Sequence, residues 1–194
     1  MKNYIKQEIA KTSDLLSKLV ADEALLAEVE KIADGCMAAI RAGKKVLFAG
    51  NGGSAADAQH LAAEFVSRFA FDRAGLPAFS LVTDTSVMTA VGNDYGFEHL
   101  FSRQIQAVGV AGDVFVGIST SGQSPNILKA LTEARGKGLV TVGFTGESGG
   151  KMLDLCDFCI RIPSRETPKI QEGHIVIGHI LCGIIESSIF QRVT

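Results

Sequence analysis

The chain has 194 residues, 46% of them hydrophobic and 21% charged, with a formal net charge of −2. That length supports one sizeable core. The near-balanced charge, without a basic stripe, argues against general nucleic-acid binding, and no apolar run approaches the roughly 20 residues of a membrane span.

Met1 to Lys11 is polar and mixed in charge and lacks the apolar core of a signal peptide. Four cysteines, Cys36, Cys156, Cys159 and Cys182, fit no disulfide framework, so a reduced, cytoplasmic setting is expected. Residues from about 3 to 42 read as two helices. Ile5, Ile9, Leu15, Leu16, Leu19 and Val20 recur at helical spacing, as do Leu25, Leu26, Val29, Ile32, Ala33, Met37 and Ile40. Asp22 is placed to cap the second helix, and Gly43 ends the pair. From Lys45 onward strands alternate with helices. The expected strands are 45–49, 78–82, 113–118, 139–145 and 157–162. Helices are expected near 55–70, 85–92, 97–108, 124–137 and 169–190. Near-continuous apolar strands separated by helices mean a five-stranded parallel sheet with helices on both faces. The expected organisation is a single domain over 1–194: a helical pair over 1–43 and an α/β core over 44–194.

In such a sheet, ligands bind beyond the carboxyl ends of the strands. Two loops fall there. The first, Gly50-Asn51-Gly52-Gly53-Ser54, follows an apolar strand and opens a helix, where backbone N–H groups and the helix dipole favour an anion. The second runs Gly117-Ile118-Ser119-Thr120-Ser121-Gly122-Gln123-Ser124-Pro125-Asn126. Ser119, Thr120, Ser121 and Ser124 place four hydroxyls around one turn, and Pro125 suits the first turn of a helix. One hydroxyl would suffice for a cap; four favour a phosphate cradle built without a lysine. The loop is neither a Walker A sequence nor a GxGxxG fingerprint. The Cys156-Asp157-Phe158-Cys159 spacing has no second Cys/His pair for a structural zinc site. It leads into a strand rather than opening a helix, so both cysteines read as small core residues.

His60 and Glu64 stand at i and i+4 and share a helix face. Gln171 and His179 lie eight residues apart on the last helix, about two turns, and so on one side. His174 falls on another flank and reads as a hydrogen-bonded core residue. A His, a Glu, a Gln and a His could hold a divalent metal. The same set could equally be a metal-free acid/base pair, with Glu64 as base and His179 as acid. Spacing does not choose between the two.

At these residues the chain resembles the sugar isomerase (SIS) domain family, and within it the phosphoheptose isomerases. The likeness spans essentially the whole chain. It is carried by Gly50-Asn51-Gly52-Gly53-Ser54-Ala55-Ala56-Asp57-Ala58-Gln59-His60, Val91-Gly92-Asn93-Asp94-Tyr95-Gly96-Phe97, the Ser-rich loop and Ile170-Gln171-Glu172-Gly173-His174. The resemblance implies an SIS-type three-layer sandwich. It also implies aldose–ketose isomerisation of sedoheptulose 7-phosphate to D-glycero-D-manno-heptose 7-phosphate through an enediolate, the first step toward bacterial ADP- or GDP-heptose and heptose-containing polysaccharides such as lipopolysaccharide. By the same resemblance His60, Glu64, Gln171 and His179 match zinc-ligand positions, one Zn2+ per subunit. Glu64 and His179 match a proton-transfer pair. Asn51, Gly52, Gly53, Glu64, Asn93, Asp94, Ser119, Thr120, Ser121, Ser124 and Gln171 match substrate-binding positions. The family is a homotetramer, with the leading helices in a central bundle and active sites shared between subunits. Pro168 departs from the pattern, because some relatives carry there an acidic residue that touches sugar hydroxyls; Glu166 is the nearest substitute. A non-catalytic relative on the same fold that associates with the bacterial replication initiator is the alternative. A regulatory sugar-phosphate sensor would usually carry a DNA-binding module besides.

Overall fold

The computed structural model describes residues 1–190. Two helices lead, α1 (Lys2–Ala21) and α2 (Glu23–Arg41). The Asp22 carboxylate accepts from Leu25 N–H at 3.0 Å and caps α2, as its position implies. Five parallel strands follow, β1 (Val46–Gly50), β2 (Ala78–Ser80), β3 (Val114–Ile118), β4 (Val140–Gly146) and β5 (Phe158–Ile162), in the spatial order β2-β1-β3-β4-β5. Between them run α3 (Gly53–Val66), α4 (Thr85–Asp94), α5 (Leu100–Val108) and α6 (Pro125–Gly136), and α7 (Thr167–Ile189) closes the fold.

Strands β1 and β3 are apolar and buried along their whole length because both faces are covered. Phe48, Val116 and Phe144 pack on one side with α2, α3 and α7. Leu47 and Phe115, their immediate chain neighbours, pack on the other with Phe101, Ile127 and Leu131 of α5 and α6. Successive side chains point to opposite faces, and two cores result. The order reverses between β1 and β3, so a crevice opens beyond their carboxyl ends.

Several element bounds differ from expectation. The helix expected to 70 stops at Val66. The Arg73 guanidinium takes the carbonyls of Glu64, Phe65 and Ser67 at 2.8, 2.6 and 3.0 Å, and the chain turns away. The helix expected from 97 begins as a short 3-10 turn, Phe97–His99, and a second such turn, Gly150–Asp154, was not expected. Strand β2 is three residues long where five were expected.

Arg73 is itself held. Its Nε donates to Glu186 Oε1 at 2.9 Å, and Glu186 also accepts from the backbone N–H groups of Phe69 (2.8 Å) and Ala70 (2.7 Å). Both side chains are almost wholly buried, at 3% and 1% exposure. These donors hold the Glu186 carboxyl below its ordinary range against the opposing effect of burial.

The leading helices are only half accommodated. Leu15 and Leu19 are buried, whereas Ile5, Ile9 and Val20 of the same helix are 51%, 65% and 74% exposed. No helix among the described residues is long and apolar enough to cross a membrane.

Two stability predictions follow from the core. Glu186→Ala strands a buried guanidinium and two backbone donors. Removing one partner of a buried pair costs about 3–5 kcal/mol, so the urea midpoint should fall far more than for substitution of an exposed residue such as Glu166→Ala. The second concerns His174, buried at 1% exposure with Nε2–H donating to the Thr145 carbonyl at 3.1 Å. Burial pushes its pKa from the ordinary 6.5 down to about 4. Above pH 6.5 both folded and unfolded forms are neutral and the group contributes nothing. As pH falls from 6.5 toward 4, the unfolded chain takes up a proton that the native state refuses, and stability drops by about 1.4 kcal/mol per unit. Urea midpoints at pH 7 and pH 5 should therefore separate more for the parent protein than for His174→Gln.

Candidate active site

Strand β1 ends on a turn that needs its glycines. A Cβ on Gly50 would run into the Ser54 carbonyl, and Gly52 has φ +56°. The turn launches α3 directly at the carboxyl edge of the sheet. On α3, His60 and Glu64 face one another, with His60 Nε2 3.3 Å from Glu64 Oε1. Helix α7 crosses close by, because Gly178 brings its backbone onto Leu61; a Cβ there would lie 2.6 Å from Leu61 Cδ2. The next residue, His179, reaches His60, and the two Nε2 atoms are 2.8 Å apart. His60, Glu64 and His179 each turn one donor atom to a common point, all within 4.8 Å of one another. Two imidazole nitrogens and a carboxylate oxygen are a donor set that suits a divalent transition metal. They could equally pass protons.

The remaining expected residues divide. The Gln171 amide packs on Gly53 at the start of α3, with Cδ 2.9 Å from where a Cβ would stand. Gln171 of α7 therefore rests against the first residue of α3, the helix that carries His60 and Glu64 further along, and Gly53 makes the space. Ser119, Ser121 and Ser124 gather after β3: Ser119 Oγ is 2.9 Å from Ser124 Oγ and 3.5 Å from Ser121 Oγ. Ser124 precedes α6 without making a side-chain cap bond, and its hydroxyl turns inward to Ser119. Ser121 Oγ accepts from Gln123 N–H at 3.2 Å. Thr120 and Ser121 line a cleft shared with Gln123, Ser148, Ser164 and Arg165.

Asn51, expected at the substrate, has a side-chain partner of its own in the crevice. Its side-chain amide makes a reciprocal pair with buried Asn126, at 2.9 and 2.8 Å, bridging the two loops across the crevice. Asn126 was read only as part of the Ser-rich loop; the pairing signal lies 75 residues away and no local pattern carries it. Asn93 and Asp94 end α4 on an exposed surface and hydrogen-bond one another at 2.8 Å. Glu166, the nearest substitute for the acidic residue absent at Pro168, bonds Lys11 at 2.9 Å. The rings of Phe69 and His179 pack at 5.7 Å between centroids, a contact that spacing alone does not reveal.

The SIS domain profile matches residues 9–146. The chain is 63% identical to phosphoheptose isomerase of Burkholderia pseudomallei (strain 1710b) over 189 residues, 97% of this chain and 96% of that one. It is 58% identical to the phosphoheptose isomerase of Aneurinibacillus thermoaerophilus, covering 99% and 97%. Among solved structures, a phosphoheptose isomerase from Neisseria gonorrhoeae superposes with a TM-score of 0.90 at 38% identity, covering 96% of this chain and 98% of that one. One from Francisella tularensis gives 0.88 at 36%, covering 96% and 100%. These likenesses do not favour the reading as a non-catalytic binding protein. By full-length similarity in sequence and in fold, the chain belongs to the SIS domain family and, within it, to the phosphoheptose isomerases.

Proposed function

We propose that this protein isomerises sedoheptulose 7-phosphate to D-glycero-D-manno-heptose 7-phosphate in the cytoplasm. The observation that carries the reading is the convergence of Glu64 and His179 on His60 between α3 and α7, in a chain 63% identical over nearly its whole length to a phosphoheptose isomerase.

Moving a proton between adjacent sugar carbons needs a base at the carbon and an acid at the oxygens. Glu64 takes the proton and His179 serves the oxygens. Glu64 lies three turns into the helix that starts at the Gly52–Gly53 turn, beside His60. The phosphate sits in the Ser119–Ser124 loop at the start of α6, where hydroxyls, backbone N–H groups and the positive helix end meet it. Bridging of Asn51 to Asn126 holds that loop at a fixed distance from the Gly52–Gly53 turn.

His60, Glu64, Gln171 and His179 would hold one Zn2+. When bound, zinc supplies Lewis-acid stabilisation of the negative charge that develops on the enediolate oxygens. The donor set supports this reading, since the paired Nε2 atoms of His60 and His179 face each other with the Glu64 carboxylate beside them.

The exposed apolar face of α1 supports assembly through the leading helices. We assign a homotetramer, with Asn93 and Asp94 completing the site of a neighbouring subunit. Light scattering should report four chains per particle; a monomer at micromolar concentration would refute it.

Purified protein incubated with sedoheptulose 7-phosphate should yield the aldose, and no product would sink the assignment. Glu64→Gln keeps shape and an oxygen but cannot accept the proton at neutral pH. Its kcat should fall by about 10²–10⁴-fold with the circular dichroism spectrum unchanged; a kcat near that of the parent would leave Glu64 as a ligand only. Elemental analysis should find near-stoichiometric zinc, and chelation should lower activity that added zinc restores. Full activity in metal-free protein would leave the acid/base pair alone. Ser121→Ala with Ser124→Ala should raise KM strongly, and an unchanged KM would place the phosphate elsewhere.

A further inference from the structure

The Cys156–Cys159 motif has no part in the site above, and the structure does not place it in the interior as its sequence suggests. Cys36 and Cys182 are buried, whereas Cys156 and Cys159 are each half-buried. Cys159 lies in β5 directly opposite Gly143 of β4, and Cys156 follows the 3-10 turn Gly150–Asp154. A Cβ built on Gly143 would stand 2.8 Å from Cys156 Sγ and 3.2 Å from Cys159 Sγ. Both sulfurs therefore border one point, and only the missing side chain of Gly143 leaves room for them together.

The two thiols are not equivalent. Cys159 borders a surface cleft with Asp22, Leu25, Glu28, Glu147 and Arg161, its backbone N–H donating to Glu28 Oε1 at 3.1 Å. Cys156 sits behind it, packed on the core around Met152. The neighbouring Cys156 thiol draws Cys159 below the ordinary thiol range, aided by Arg161 and opposed by burial and by Glu28. The same pairing, with burial and Asp157, pushes Cys156 up. Burial pushes Cys36 and Cys182 up to about 12. Of the four, Cys159 alone combines access with a stabilised thiolate, the condition for reactivity.

We propose that Cys156 and Cys159 form a redox-active dithiol, oxidised by low-molecular-weight disulfides, whose closure retunes the Ser119–Ser124 loop. The Cys159 thiolate attacks one sulfur of the small disulfide, forms a mixed disulfide and expels one thiolate. Cys156 gives its proton to solvent and attacks Cys159 Sγ. The Cys156–Cys159 bond forms and the second thiolate leaves. Two electrons pass from the protein pair to the small disulfide, which departs as two thiols.

The route to the loop is short. Cys156 N–H donates to the Met152 carbonyl at 3.1 Å, and Met152 N–H donates to the Gly122 carbonyl at 3.2 Å. The backbone at Gly150 lies so close that a Cβ there would stand 2.6 Å from the carbonyl oxygens of both Ser121 and Gly122. Drawing Cys156 toward Cys159 pulls on a turn that is packed directly under the loop. The effect on turnover rests on the phosphate-binding role assigned to that loop; the thiol chemistry does not.

The test uses full-length protein and oxidised glutathione. Two of the four thiols should be lost, peptide mapping should find a Cys156–Cys159 crosslink, and dithiothreitol should restore both thiols. Cys156→Ser should stop at glutathione on Cys159, and Cys159→Ser should acquire none at Cys156. Oxidised parent protein should show a KM for the sugar phosphate raised several-fold with kcat little changed, and Cys159→Ser should be insensitive. Reaction first at Cys36 or Cys182, or the absence of the crosslink, would overturn the proposal. A crosslink that leaves KM unmoved would overturn the link to the loop. Isomerase activity absent from the reduced protein would instead fail the functional reading, while the crosslink remains measurable.

Discussion

The Arg73–Glu186 pair is the constraint on which the geometry of the site depends. Glu186 stands seven residues, about two turns, beyond His179 on α7. Through Arg73 it reaches the carbonyl of Glu64 itself. Through Phe69 N–H it holds the residue whose ring packs on His179. One buried ion pair thus ties the backbone at Glu64 to the helix that carries His179. The cost of burying two charges is offset because every strong donor and acceptor in the group is used: the guanidinium serves four carbonyls besides the carboxylate, and the carboxylate takes two backbone N–H groups. Such a group tolerates little displacement, since moving any member leaves another unpaired in a low-dielectric interior.

Glycines supply the complementary condition, that the elements can approach closely enough for the side chains to meet. Gly178 admits Leu61 and thereby sets the α3–α7 distance, and Gly53 admits the Gln171 amide. With bulkier residues at either place, His179 and Gln171 would stand off from α3. The polar group beneath the site and the small residues around it act on the same distance, one pulling the helices together and the other permitting it.

Much of this was legible in the sequence, for identifiable reasons. Runs such as Val46-Leu47-Phe48-Ala49 declare a strand covered on both faces, and the i, i+4 spacing of His60 and Glu64 declares a shared helix face. Both are local patterns set by chain geometry. The Asp22 cap is local too, and it was read correctly. What escaped depends on partners far along the chain. The early end of α3 at Val66 follows from a guanidinium drawn in by Glu186, more than 100 residues away, and helical periodicity beyond Val66 carries no trace of it. The Asn51–Asn126 amide pair escapes a local reading because only the adjacency of β1 and β3 brings the two loops together. The cysteines read as interior because they border a strand; their half-exposure follows from β5 being the edge of the sheet.

Helix α1 joins the fold through a narrow seat. Lys169 donates to the Glu8 carbonyl at 3.2 Å and to Thr12 Oγ1 at 2.9 Å, and it bonds Glu172 Oε1 at 3.0 Å. Glu172 adjoins Gln171, so the seat of α1 lies one residue from the catalytic cleft. The adjoining flank of α1, with Ile5 and Ile9, is left to water within a single chain. Whatever covers that side stabilises the seat by mass action, and its contribution grows with the logarithm of the free concentration of the covering surface. In the assembly proposed above that surface belongs to other copies of this chain, so the order of the residues around Gln171 varies with how much protein is present, and dilution becomes a variable of the active site.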